Sequence, residues 1–301
     1  MKKGTIAILL LIFVLGAVPV LFGEDMRIYN DGEIDYVPIQ ASFVLSAEDD
    51  ESTLKEIRYS INGSGIEVYR EPITLTEEGR QLIVYWAIDK TDNVSSEKLY
   101  SVIVDATPPD GFVSVLGPAF TEEDTLYITG QSEIVVWAED ELAGVDAVYV
   151  SLDDSSFIRY TEPVAITEEG YHEASAYAVD NVGNATEVFS VSGYVDSTPP
   201  AVTVTARKAF VEVGGKNYTN RDNAYTVTAE DELVGVREIL VSLDGSDYAV
   251  YSAPFRVQIQ GEHTISAIAV DRLGNESSPI DLRFYVDVTP PSTSMGVSLE
   301  E

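Results

Sequence analysis

Residues 133–138 alternate in character, with Ile134, Val136 and Ala138 on one side of an extended chain and Val135 and Trp137 on the other. That pattern predicts a half-buried strand. Residues 146–152 do the same with Val148, Val150 and Leu152 inward, and Ile57, Tyr59, Ile61 and Ile239, Val241, Leu243 keep the same parity. The segment 172–179 sets His172, Ala174, Ala176 and Ala178 on its inner face, matched by His263, Ile265, Ala267 and Ala269. Side chains this small let a second sheet approach closely. Between these strands lie turns: Asn62-Gly63-Ser64-Gly65, Asp153-Asp154-Ser155-Ser156 and Asp244-Gly245-Ser246-Asp247. No useful length beyond the N-terminal segment carries helical period.

These signals recur at a fixed offset of 91 residues, without a gap, in Ala47-Glu48-Asp49, Ala138-Glu139-Asp140 and Ala229-Glu230-Asp231. Ala87-Ile88-Asp89, Ala178-Val179-Asp180 and Ala269-Val270-Asp271 follow the same phase. So do the exits Asp105-Ala106-Thr107-Pro108-Pro109, Asp196-Ser197-Thr198-Pro199-Pro200 and Asp287-Val288-Thr289-Pro290-Pro291. A period of this length is a tandem array of one small module. Seven or so short strands, turns every eight to twelve residues and stiff Pro-Pro exits predict an all-β chain of three immunoglobulin-like β-sandwich modules. The expected boundaries are 24–108, 109–199 and 200–290, with a tail at 291–301. The first module's opening strand would fall within residues 18–31. The tail, in phase with Pro200 and its successors, reads as a frayed end or as a strand offered to a neighbouring chain's first module.

The string Tyr59-Ser60-Ile61-Asn62-Gly63, then Tyr69, Pro72, Gly79 and Ala87-Ile88-Asp89, resembles the bacterial immunoglobulin-like repeats of leptospiral outer-membrane surface proteins and of chitobiase C-terminal regions. The resemblance covers about three quarters of the mature chain. It implies a sandwich fold and a role as spacer, adhesin or enzyme accessory, and no single function.

The leader changes the picture of where this happens. Met1-Lys2-Lys3, an apolar run from Ile6 to Phe22 and then Gly23-Glu24-Asp25 have the layout of a secretory signal over residues 1–23. Cut near Gly23 it releases the chain; uncut it is long enough to anchor it, the only membrane attachment expected. The destination is the cell envelope, periplasm or extracellular surface. With no cysteine there is no disulfide, thiolate metal site, thiol nucleophile or lipoprotein anchor. Fifty-one acidic residues against 18 basic ones oppose binding to nucleic acid.

Candidate chemistry is confined to two places. In a sandwich the second and sixth strands face each other, so Asp140 and Asp180, each two residues past a core alanine, share one open end, as do Asp49 with Asp89 and Asp231 with Asp271. The linker from the preceding module arrives there, bringing Asp105 towards Glu139, Asp140 and Asp180, and Asp196 towards Glu230, Asp231 and Asp271. No cofactor is required, but oxygen-rich junctions suit Ca²⁺, with six to eight oxygen ligands; otherwise each aspartate caps its own loop. Aromatic rings at Trp86, Trp137 and Tyr177 are the candidate glycan surface. His172 and His263, the only histidines, recur in phase and read as structural, with Gln81 in their place in the first repeat. No nucleophile elbow, phosphate loop or histidine metal spacing is present. The expectation is a non-enzymatic exported rod, structural or adhesive, with a protein or glycan partner at the cell surface; the alternative is a carbohydrate-binding accessory protein. N-terminal sequencing of the protein from its native host checks the leader: a start just after Gly23 is expected, and an intact Met1 would mean an anchor.

Overall fold

The computed structural model describes residues 26–297. The segment expected to direct export, residues 1–23, lies outside the described residues, and so does most of the stretch expected to hold the first opening strand. No helix among them is long and apolar enough to cross a membrane. The chain is all-β, a tandem series of immunoglobulin-like sandwiches.

One six-stranded sheet order appears three times. In the first it runs Tyr29–Asn30, Asp35–Pro38, Lys98–Asp105, Gly79–Asp89, Leu54–Ile61, Glu67–Val68. The second runs Ala119–Glu122, Thr125–Ile128, Phe189–Val195, Gly170–Asp180, Val145–Leu152, Ile158–Arg159. The third runs Val211–Val213, Lys216–Thr219, Ile280–Val286, Gly261–Asp271, Val236–Leu243, Ala249–Val250. Asp110–Leu116, Glu133–Glu139 and Val164–Ala165 form a smaller sheet, as do Ala201–Ala206, Ala224–Glu230 and Phe255–Arg256. In the first repeat the corresponding sheet has two described strands, Ser42–Phe43 and Ile73–Thr74.

By compactness the chain divides into two units. Among the described residues, one consists of those up to Ser114 with Ile134–Val164 and Glu173–Val191; the other of Val115–Glu133, Ala165–His172 and those from Ser192 on. The first unit has a core of Val37, Phe43, Ile57, Ile83, Val102 and Val104, and another around Val136, Val150 and Ala176. The second is centred on Tyr225, Val257, Ile265, Phe284 and Val286.

The repeat extends to details that no hydrophobic pattern encodes. A bulge interrupts the same strand pair between Leu54 and Glu56, between Val145 and Ala147 and between Val236 and Glu238. The hairpin turns take positive φ at both central residues, Asn62-Gly63, Asp153-Asp154 and Asp244-Gly245, the mirror-image turn that matches strand twist. Ser60, Ser151 and Ser242 donate from Oγ to the carbonyl four residues on, at 2.8, 2.7 and 2.6 Å.

Each linker is held by its own module before it leaves. The strand ahead of the exit pairs parallel with a short hairpin strand, as in Tyr36↔Ile103, Tyr127↔Tyr194 and Tyr218↔Tyr285. The exit aspartate continues that ladder: Asp196 N–H donates to Ile128 O and Asp287 N–H to Thr219 O, both at 2.8 Å. The approach is tight at Gly193, where a Cβ would lie 2.6 Å from Leu126 O. Gly193→Ala is therefore expected to destabilise by about 1–3 kcal/mol through overpacking, read as a lower denaturation midpoint at unchanged slope.

Candidate functional site at the linker aspartates

Two clusters of three carboxylates form where a linker aspartate meets the loops of the following repeat. Asp105, Asp140 and Asp180 bring one oxygen each within 4.8 Å of one another, and Asp196, Asp231 and Asp271 do the same. Asp105, Asp180, Asp196 and Asp271 are buried and Asp140 and Asp231 half-buried. Strand parity pointed to Asp140, Asp180, Asp231 and Asp271 and the incoming linker to Asp105 and Asp196, and they come together in two groups of three.

Backbone amides account for part of the negative charge. Asp180 Oδ1 accepts from the N–H groups of Val182, Gly183 and Asn184 at 2.9, 2.6 and 2.9 Å, and Oδ2 accepts from Asn184 Nδ2 at 2.6 Å. Asp271 Oδ1 is capped by Gly274 and Asn275 and its Oδ2 by Asn275 Nδ2. Asp140 Oδ1 takes the amides of Leu142 and Gly144, and Asp231 Oδ1 those of Val234 and Gly235. The linker aspartates start their own Asx turns, Asp105 to Thr107 N–H at 3.2 Å and Asp196 to Thr198 N–H at 3.1 Å.

The two junctions then differ. Asp105 Oδ2 reaches the following repeat and accepts from Ala143 N–H at 2.9 Å, whereas Asp196 Oδ2, equally buried, has no hydrogen-bond partner. Burial and, more weakly, the neighbouring Asp140 and Asp180 push Asp105 up to about 6. Asp180 and Asp196 are also raised, chiefly by burial, and for Asp196 the charges of Asp231 and Asp271 add to it. Among the described residues no Lys, Arg or His forms an ion pair with any of the six.

The other expected ligands lie elsewhere. Glu139 and Glu230 sit on the outward parity of their strands and are exposed, outside both clusters. Asp49 and Asp89 belong to no three-carboxylate group among the described residues. Asp49 caps Glu51, Ser52 and Thr53; at Asp89 burial is outweighed by hydrogen bonds from Asn93, Ser52 and Thr91, which hold the carboxyl well below its usual range.

Further residues complete the junction without having been singled out by motif. Asn184 Nδ2 also donates to Asp105 O at 3.3 Å, and Asn275 Nδ2 to Asp196 O at 3.0 Å. Glu78 accepts from Ala106 N–H and Thr107 Oγ1, and Glu169 from Ser197 N–H and Thr198 Oγ1, latching each Thr-Pro-Pro exit. Arg27 adds a longer bridge, donating to Asn181 O at 3.1 Å and to Asp146 Oδ2 at 2.6 Å; Arg272 pairs with Glu122 at 2.8 Å. For Asn184 and Asn275 and for Glu78 and Glu169 the signal was recurrence at the repeat offset beside a linker, whereas Arg27 and Arg272 have no counterpart at that offset.

The candidate glycan surface is narrower than expected. Tyr177 is only 9% exposed, stacked on Tyr149 and edge-on to Phe157, so its ring has no open face. The long strand is central, and neighbouring rings cover its outer side. Trp86 is half-buried beside Arg58 on the adjacent strand. Trp137 is 43% exposed and stacks with Phe112, 53% exposed, at a centroid distance of 5.4 Å. The equivalent pair in the third repeat is Thr203 and Thr228, so the fold does not require those rings.

The histidines serve the strand starts. His263 joins Asp244 Oδ2 at 2.7 Å and Ile259 O at 2.8 Å, and His172 Nε2 meets Glu168 O at 2.9 Å. Gln81 does the same work in the first repeat, donating to Glu77 O while accepting from Asn62 Nδ2.

The sequence matches no described protein family and no curated protein. Among solved structures, the fibronectin(III)-like modules of Clostridium thermocellum CbhA are 20% identical, with a TM-score of 0.34, covering 61% of this chain and all of theirs. A structure described for host cell surface retention of a 1.5-MDa bacterial ice-binding adhesin is 14% identical, TM-score 0.39, with 84% of this chain and 94% of that one covered. SGBP-B of the Bacteroides ovatus mixed-linkage glucan utilization locus, solved with a mixed-linkage heptasaccharide, is 12% identical, TM-score 0.20, with 88% and 70% covered. The first two are of the general bacterial immunoglobulin-like or fibronectin-like module kind, and none of the three is described as leptospiral or as a chitobiase. Identities and scores this low assign no ligand to this chain.

Burial opposes protonation of His263, but Asp244 and the Ile259 carbonyl outweigh it and its pKa is raised above 6.5. A raised folded-state value means that the stabilisation is complete below pH 6.5 and is lost as pH rises through the folded-state value. The melting temperature is expected to fall by a few degrees more between roughly pH 6 and pH 8 in the wild type than in His263→Gln; parallel profiles would contradict the assignment.

Proposed function

We propose that the chain is a non-enzymatic exported protein with a structural or adhesive role at the cell envelope or surface. In this reading residues 1–23 direct export, 24–108, 109–199 and 200–290 are successive modules, and 291–301 is a tail. What supports it most is the use made of the periodic polar residues: His263 and Gln81 tie turns to strands, while Asp105 and Asn184 join one repeat to the next. A catalytic group has no reason to be copied in phase along a chain, whereas a joint has. At Asp180 and Asp140 the carboxylates cap the loops beside the linker through backbone amides, which is the work of a joint.

A second reading is carbohydrate binding through Phe112 and Trp137. It rests on their side-by-side exposure in one repeat and on threonines at the same sites in another. Flat exposed rings stack on sugar faces, and single exposed hydrophobic residues are otherwise unremarkable.

Protease treatment of host cells, intact and after the outer envelope is permeabilised, tests the first reading: digestion in at least the second condition is expected, and protection equal to that of a cytoplasmic control in both would contradict it. A glycan array run on the purified chain separates the two readings. A signal abolished in Trp137→Ala and Phe112→Ala would favour the second, and a silent array leaves the structural role.

A further inference from the structure

The junction containing Asp196 holds a charge that nothing in the protein balances. Asp196 is 1% exposed and its Oδ2 is without a hydrogen-bond partner, in a cluster where Asp231 and Asp271 each bring an oxygen within 4.8 Å. Ionised carboxylates so close, buried and without a counter-charge must protonate or take up a cation. Self-capping does not remove the problem. The amides of Gly274 and Asn275 cap Oδ1 of Asp271 and the Asn275 side chain its Oδ2, the amides of Val234 and Gly235 cap Oδ1 of Asp231, and Thr198 N–H satisfies Oδ1 of Asp196. None of these reaches Asp196 Oδ2. At the first junction the equivalent oxygen has the Ala143 amide, so the orphan is a particular of the second.

We propose that Asp196, Asp231 and Asp271 ligate a hard divalent cation of the Ca²⁺ class, bound between the exit of one repeat and the loops of the next. The donor set is all carboxylate oxygen, which suits Ca²⁺ and excludes soft metals that prefer sulfur or imidazole. Ca²⁺ tolerates irregular geometry, so three protein oxygens with water in the remaining positions are sufficient. The half-exposed Asp231 side gives the ion and its water a way in. Since Asp196 belongs to the linker and its partners to the following loops, the ion would tie linker to module. The proposal is independent of whether the chain acts as a spacer or binds glycans.

The test is calorimetric titration of the full mature chain with CaCl₂ after chelator treatment, together with melting curves in Ca²⁺ and in EGTA. Wild type is expected to release or absorb heat on binding and to melt at higher temperature in Ca²⁺. Asp231→Asn, at a half-exposed position where the amide oxygen can still accept from Val234 and Gly235, is expected to lose one binding event and the associated part of the shift. Asp196→Asn is expected to gain stability in EGTA, because it removes the unbalanced charge, and to respond less to Ca²⁺. No heat and superimposable melting curves in wild type would overturn the proposal, as would binding by Asp231→Asn indistinguishable from wild type. Should Asp196→Asn fail to fold, Asp231→Asn alone decides it.

Discussion

The arrangement of this protein depends on one aspartate per linker. Its backbone completes the parallel ladder of the module it leaves, as in Asp196 N–H to Ile128 O. Its side chain and carbonyl enter the module that follows, through Asp105 Oδ2 to Ala143 and the carbonyls of Asp105 and Asp196 to Asn184 and Asn275. A residue gripped on both sides is a poor hinge, and the Thr-Pro-Pro that follows restricts the backbone further. The third copy, Asp287, keeps the ladder bond and the Asx turn but is exposed. Burial of this carboxylate therefore comes from the following repeat and not from its own.

Burial also creates the electrostatic difficulty. Loops that present two carboxylates at the mouth of a sandwich are stable by themselves, because their own amides cap them, as Asp49 and Asp89 demonstrate. Adding a third from the linker buries that carboxylate beside them, with Asp140 and Asp231 still half-exposed, and raises Asp105 and Asp196. The joint thus exchanges a solvated, self-capped loop for a buried acid cluster. Hydrogen bonds repay this more fully where Ala143 is in reach than where Asp196 Oδ2 is left over.

The fold and the six cluster residues were legible because both depend on periodicity. Alternation fixed which face Ile134 and Val136 bury, and parity carried the same logic two residues on to Asp140 and Asp180. The hairpins at 119–128 and 211–219 escaped notice, since Phe120, Thr121 and Glu122 pair with Tyr127, Leu126 and Thr125 at a sheet edge with little to bury. Tyr177 was misjudged for a related reason. Alternation identifies the outer face of a strand but not whether rings such as Tyr149 and Phe157 come to cover it. The Arg27 and Arg272 bridges were hidden because each contact joins residues more than a hundred positions apart that occupy no shared motif. The unequal satisfaction of Asp105 and Asp196 was invisible as well, as it turns on ångström differences between two junctions of matching sequence pattern.

Linker aspartates are drawn into the next repeat, and in our proposal a cation completes the cluster at Asp196. The most direct measurement is anomalous diffraction from crystals of the mature chain grown with Ca²⁺ or Mn²⁺. The account predicts a peak within bonding distance of Asp196, Asp231 and Asp271 carboxylate oxygens. Absence of a peak, with two of those oxygens drawn together around a shared proton, would contradict it.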